Sequence, residues 1–360
     1  MSRFWSKNVH DLTPYIPGEQ PKIENLIKLN TNENPYGPSP KVISAIKSAA
    51  SDDLRKYPDP NAVELKKAAA NYHKLNTNQV FVGNSSDEVL AHTFRAFFVN
   101  GDEQQSKPLL IPNITYSFYP VWCQLFNITT ENISLRDDFS IDVSLFKRAN
   151  SGIIFANPNA PTGMALPLDD IQNILDNNPN SVVVIDEAYA DFAEKSAISL
   201  INQYPNLLVT QTLSKSRSLA GLRVGFAFAS AELIDGLERV KNSFHPYALN
   251  QLAIAGAISA FEDVDYFTKI REKVIATRER TKESLQKLGF SVLPSKTNFL
   301  LAQHPKIAAE SIFHTLRAKG IVVRYFTSER IDQFIRISIG TDHEMDMLIS
   351  TLNQIITNDE

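Results

Sequence analysis

The chain has 360 residues, 43% hydrophobic and 21% charged, with a formal net charge of −4. That is enough apolar material for a sizeable core, and the weak acidity gives no footing for nucleic acid or an anionic membrane surface. A single cysteine, Cys123, excludes an internal disulfide framework and fits a reducing cytoplasm, and the scattered histidines give no metal-ligand spacing, so no metal is expected.

No apolar run approaches the ~18 residues of a membrane-spanning helix. The N-terminus lacks an apolar h-region, so no signal peptide is expected. Length points to two domains, or one large domain with a smaller satellite. Residues 1–40 are rich in Pro and Gly and read as an extended arm. Ser39 then caps a helix over 40–50 with Pro40 at its first position, and a second helix follows over 62–73.

From residue 79 strands and helices alternate. Strands are expected at 80–82, 109–111, 128–133, 152–156, 181–186, 206–213 and 222–229, with helices through 98, over 116–126 and over 168–175. Runs such as 181–186, apolar on both faces, belong to a covered parallel sheet. The alternation predicts an α/β core with helices on both faces. After about residue 230 the pattern changes to long helices, 231–244 and 266–288. Then come 299–302, a helix over 308–319, strands at 321–326 and 334–339, and a last helix over 343–356. That is a smaller α+β unit.

Chemistry gathers at the strand ends, where α/β proteins keep it. Lys215 lies in a turn dense in Ser, just past a buried strand. It is either a solvated loop lysine or a Schiff-base lysine, whose amine must be partly desolvated. Ser85 and Glu88 have capping-box spacing after a Gly turn, and the same helix start suits a phosphate. Asn157-Pro-Asn-Ala-Pro-Thr-Gly163 is a rigid turn, open to a cis peptide. Asp186 ends a buried strand and needs donors or a cation; it either caps the next turn or faces a protonated heterocyclic nitrogen, with Tyr189 in reach of the same ring. Arg223 opens a strand at the same edge and can fork onto a phosphate. Far along the chain, period two sets Arg336 and Ser338 opposite Ile335, Ile337 and Ile339, and puts Val322, Arg324 and Phe326 on one face. The two arginines are either solvated or an anion clamp.

The order of these pieces, from Tyr15 to Gly340, resembles the pyridoxal-phosphate-dependent aminotransferases of the aspartate-aminotransferase-like fold, and among them the histidinol-phosphate aminotransferase family. That resemblance implies a large domain with a mostly parallel central sheet and helices on both faces, residues 35–248, holding pyridoxal 5'-phosphate. Residues 1–34 with 249–360 would form the arm and the small domain. It implies Lys215 as the Schiff-base lysine, Asp186 at the pyridine nitrogen, Tyr189 at the ring oxygen and Tyr116 stacked on the ring. Arg223, Ser214, Ser86 and Asp87 match phosphate ligands. Tyr57 matches a residue reaching the neighbouring subunit's cofactor, hence a homodimer. Arg336 matches the arginine that holds the substrate's anionic group, with Arg324 and Tyr15 at the phosphate of histidinol phosphate and Asn32 counted beside them. One departure stands out: relatives commonly carry Asn immediately before Pro-Thr-Gly, and here that place is Ala160. Either Asn159 takes over its contact with the ring oxygen, or Tyr189 carries more of it. The implied activity is ping-pong amino transfer between L-histidinol phosphate and 2-oxoglutarate in cytoplasmic histidine biosynthesis. Aromatic amino acid transamination and threonine-phosphate decarboxylation on the same scaffold are the alternatives.

Overall fold

The computed structural model describes residues 3–22, 25–99 and 107–359, with side chains described through residue 357. In chain order the helices are α1 (Lys7–Asp11), α2 (Pro40–Ala49), α3 (Val63–His73), α4 (Ser85–Phe97), α5 (Tyr119–Phe126), α6 (Leu168–Asp176), α7 (Ala231–Phe244), α8 (Gln251–Glu262), α9 (Val264–Lys287), α10 (Ala309–Ala318) and α11 (Asp342–Asp359). The strands of the larger sheet are β2 (Val80–Asn84), β3 (Leu109–Pro112), β4 (Thr130–Ile133), β5 (Gly152–Ala156), β6 (Val183–Asp186), β7 (Leu207–Thr212) and β8 (Val224–Ala229). A short β1 (Ile27–Lys28) precedes them; β9 (Ser291–Val292), β10 (Phe299–Gln303), β11 (Ile321–Val322), β12 (Arg324–Tyr325) and β13 (Ile335–Ser338) follow.

The seven strands run in the order β2-β8-β7-β6-β5-β3-β4. All pairs are parallel except those of β8, which runs against both β2 and β7. The expected mostly parallel sheet is therefore present, with one reversed strand. Alternate residues face opposite layers. Val80, Ile153, Val183, Val209 and Phe228 pack under α3, α6 and α8, while Phe81, Ile154, Val184, Leu208 and Ala227 pack under α4, α5 and α7. Each large apolar side chain fully buried in this way contributes about 1.5–3 kcal/mol.

Local chemistry explains the ends. Ser39 Oγ accepts the Lys41 N–H at 3.1 Å, and Pro40 begins α2 as expected. The capping at α4 differs from the expected box. The helix already starts at Ser85, so Glu88 reaches back to the Asn84 N–H instead. Ser85 sits at φ 74° and its Oγ takes the Asp87 N–H at 3.2 Å. Gly225 lets β8 approach that turn: a Cβ there would lie 2.3 Å from Ser86 N.

The smaller sheet runs β12-β13-β10-β9, all antiparallel, and β1 pairs in parallel with β11. The expected continuous strand over 321–326 is broken: its first half pairs with β1 and its second with β13. Its core joins Leu29 to Val274, Leu316, Ile337 and Leu348. The expected division after residue 248 falls ahead of α8, a helix the sequence pattern did not single out. Ala253, Ala257 and Phe261 of α8 join the core under the seven-stranded sheet. Among the described residues no helix is long and apolar enough to cross a membrane.

Candidate active site

Because β8 is reversed, its first residue lies at the sheet edge where β2, β3, β5, β6 and β7 end. That edge and the face of β12 and β13 enclose a cavity of about 940 Å³. From the sheet edge it is lined by Ser86, Asp87, Tyr116, Asp186, Tyr189, Ser214, Lys215 and Arg223. Arg324 and Arg336 line it from the other side, and Tyr15 and Asn32 come from the arm.

Asp186 is 4% exposed and ends β6. Tyr119 Oη donates to one carboxylate oxygen at 2.7 Å and Thr210 Oγ1 to the other at 3.1 Å. Burial nevertheless pushes its pKa up to about 6, against the donors that pull it down. An acid so placed gains much from a cationic partner. Glu187, next along, turns away to Gln211 and the Ala197 N–H, and burial lifts it to about 7.

Lys215 follows β7. Its Nζ donates to the Thr31 carbonyl at 2.9 Å and lies 5.8 Å from the centre of the Tyr189 ring. Asn34 Nδ2 donates to the carbonyls of Lys215 and Ser216 at 3.2 and 3.1 Å, so the arm fixes the loop. Arg223 Nη2 pairs with Asp87 Oδ2 at 2.8 Å, and Tyr116 Oη donates to Asp87 Oδ1 at 3.1 Å. Burial, reinforced by Asp87, raises the Tyr116 phenol above its ordinary range. Thr212 Oγ1 donates to Ser214 Oγ at 2.9 Å.

On the opposite side Arg324 and Arg336 are register partners across β12 and β13. Arg336 Nη2 donates to the Asn30 carbonyl at 2.9 Å, while its buried Nε has no hydrogen-bond partner among the described residues. Its guanidinium lies over Phe299 and Phe326 at 5.2 and 5.7 Å. Desolvation lowers its pKa, and Arg324 adds in the same direction.

Two expected residues lie elsewhere. Asn159 does not line the cavity: its Oδ1 accepts from Thr115 Oγ1 at 3.0 Å and its Nδ2 donates to the Ile114 carbonyl at 2.9 Å. The loop's own needs consume the amide, and Ala160 meets the cavity in its place. The loop's two X–Pro bonds, Asn157–Pro158 and Ala160–Pro161, are cis. Tyr57 is 82% exposed and stacks on Tyr247 at 4.6 Å, outside the cavity. Sequence reasoning missed Tyr119, Thr210 and the Thr31 carbonyl. Tyr119 stands three residues from Tyr116 in the helix expected over 116–126, and Thr210 one strand period from Thr212, so both left a spacing signal. A main-chain carbonyl leaves none.

The donor set fits a phosphorylated pyridine aldehyde. An amine, a buried acid and a phenol share one cavity, and the turn that Gly225 permits sets the start of α4 beside Arg223 and Ser214, a position suited to a phosphate. The aminotransferase class I and II family model matches residues 24–352, and the chain belongs to that family. More narrowly, it is 57% identical over 353 residues to histidinol-phosphate aminotransferase 1 of Pseudomonas aeruginosa, covering 98% of this chain and 99% of that one. The crystal structure of histidinol-phosphate aminotransferase from Sinorhizobium meliloti, in complex with pyridoxal-5'-phosphate, superposes with TM-score 0.89 at 25% identity, over 100% of this chain and 99% of that one. An aspartate aminotransferase mutant from Thermus thermophilus, 17% identical, shares the fold with TM-score 0.83 over 98% of this chain and 100% of its own.

Proposed function

We propose that the chain is a pyridoxal-phosphate-dependent histidinol-phosphate transaminase, moving an amino group between L-histidinol phosphate and 2-oxoglutarate in histidine biosynthesis. The observation that carries this is the pairing of walls: Lys215 and Asp186 at one side of the cavity, and at the other Arg336, whose buried Nε has no partner among the described residues. The likeness to the Pseudomonas aeruginosa enzyme over nearly both chains supports the substrate.

Lys215 would hold the cofactor's aldehyde carbon, Asp186 its ring nitrogen, Tyr189 its ring oxygen and Tyr116 its face. Arg223, Ser214 and the first turn of α4, at Ser86 and Asp87, would hold its phosphate. When bound, pyridoxal phosphate supplies an electron sink for substrate Cα and a carrier for the amino group between two half-reactions. Lys215 Nζ would move the Cα proton, and the Thr31 carbonyl, which accepts from it at 2.9 Å, holds that nitrogen in the cavity. Asp186 stabilises positive charge on the heterocycle. Arg336 and Arg324 take the phosphate of one substrate and the side-chain carboxylate of the other in turn, since a fork of N–H donors suits both. The buried Nε–H of Arg336, without a hydrogen-bond partner among the described residues, is available for that purpose.

The working unit is a homodimer in the cytoplasm. Tyr57, Tyr247 and Phe244 offer exposed aromatic surface for a second copy, Phe244 at 80% exposure. Sedimentation of the loaded protein should give twice the chain mass, and Tyr57→Phe should weaken cofactor retention.

The decisive experiment is a half-reaction titration. The aldehyde form is mixed with histidinol phosphate, phenylalanine or aspartate, and the visible band is followed. Histidinol phosphate should discharge the band at the lowest concentration. Preference for phenylalanine would make the enzyme an aromatic transaminase, and carbon dioxide release from threonine phosphate would make it a decarboxylase.

A further inference from the structure

The Tyr189 hydroxyl takes its hydrogen bond from the arm. Asn32 Nδ2 donates to Tyr189 Oη at 2.9 Å. Asn32 is 1% exposed and holds φ at 57°, a left-handed conformation that Asn tolerates. Its other polar atoms are committed. Its N–H donates to Ser338 Oγ at 2.9 Å, its Oδ1 accepts from Ser338 Oγ at 2.8 Å, and its carbonyl accepts from Asn298 Nδ2 at 3.0 Å.

These bonds fix where each proton goes. Ser338 Oγ already receives the Asn32 N–H, so its own single proton goes to Asn32 Oδ1. The amide oxygen therefore faces Ser338 and the amide nitrogen faces Tyr189. The reversed amide would aim a second donor at Ser338 and strand the serine proton in a buried site. Tyr189 Oη thus accepts from Asn32, and its own proton is unspent in this network. The ring is held edge-on against Phe299 at 5.1 Å, which limits where that proton can point. At the same cavity, Ala160 offers only a methyl group and Asn159 has turned away.

We infer that Asn32 is a positioning residue: it fixes Tyr189 as a donor toward an anionic oxygen in the cavity, and Ser338 locks Asn32 in that sense. The inference rests on the functional reading above, in which that oxygen belongs to the cofactor ring. It recasts Asn32, expected at the substrate, as acting through Tyr189. Ser338 stands on the same strand face as Arg336. The polarity of the Tyr189 hydroxyl is thereby tied to the strand that carries the substrate's arginine.

The test is the pH midpoint of the visible band of the pyridoxal-phosphate-loaded protein. A hydrogen bond donated to the ring oxygen favours the proton-poor form, so its loss raises the midpoint. Tyr189→Phe sets the full rise, about one pH unit or more. Asn32→Asp places an acceptor against Tyr189 and should give most of that rise. Ser338→Ala frees the Asn32 amide to turn, without adding charge, and should move the midpoint the same way by a smaller amount. It carries the test alone if Asn32→Asp does not fold. In the Tyr189→Phe background neither change should add a further shift. Unmoved midpoints in the single variants overturn the inference, and so does an Asn32→Asp shift that survives in that background, since it would be plain charge repulsion. A protein that forms no visible band sinks the functional reading itself, which is a separate and recognisable result.

Discussion

The two sides of the cavity are built on different terms. At the edge of the seven-stranded sheet the charged groups are already engaged: Asp186 with Tyr119 and Thr210, Arg223 with Asp87, Lys215 with the Thr31 carbonyl. Across from them, Arg336 and Arg324 face each other with like charge over Phe326, and the Arg336 Nε has no partner among the described residues. On the proposed function, the first side would hold a group that stays, and the second, with its unsettled positive charge, would serve anions that come and go.

The contrast breaks hardest at Lys215. Lys215→Ala should lower turnover on the order of 10⁴-fold and abolish the visible band, read by rapid kinetics and absorbance. Asp186 sharpens it through pH. Below about pH 4 its carboxyl is protonated both folded and unfolded, and the group costs nothing. Between about 4 and 6 the unfolded chain ionises first, so the penalty grows, and above the folded value of about 6 it is complete. For the cofactor-free protein, Asp186→Asn should therefore add up to about 3 kcal/mol of stability near pH 8 and little near pH 4, followed by urea midpoints. Pyridoxal phosphate should reverse that ranking, because the wild-type acid then gains its cation.

On the other side, Arg336→Ala should lower kcat/KM about 10²-fold for both anionic substrates while the visible band persists. An equal loss of the band would mean the two sides are not separate. The smallest effect belongs to Gly225→Ala, where a methyl group would meet the first turn of α4. A loss of about 1–3 kcal/mol in urea, with weaker cofactor retention, is expected.

The sequence was most legible where chemistry and periodicity coincide. The apolar run ending in Asp186 and the turn around Lys215 could be placed at strand ends from pattern alone, and both line the cavity. Legibility failed where one segment serves two masters. The stretch over 321–326 reads as one strand because every residue but Arg324 is β-branched or aromatic, yet backbone pairing splits it between two sheets. Helix α8 escaped notice because its Ala-rich run is apolar nearly all round. Asn159 was misplaced as a ligand for a different reason. Composition shows that an amide is present but not that Thr115 and the Ile114 carbonyl occupy it.

The pairing of Ile27 with Ile321 has a consequence for biosynthesis. The ribosome delivers β1 well ahead of β11, and Ser338, which donates its N–H to the Leu29 carbonyl, comes later still. The seven-stranded sheet can close while translation continues, and Asn32 and Asn34 can already bond to Tyr189 and the Lys215 loop, but β1 must wait for its pairing strand until residues 321 and 322 are read. A product cut short before residue 321 would keep the core under the seven-stranded sheet but lose much of the smaller one, and β1 would have no pairing strand.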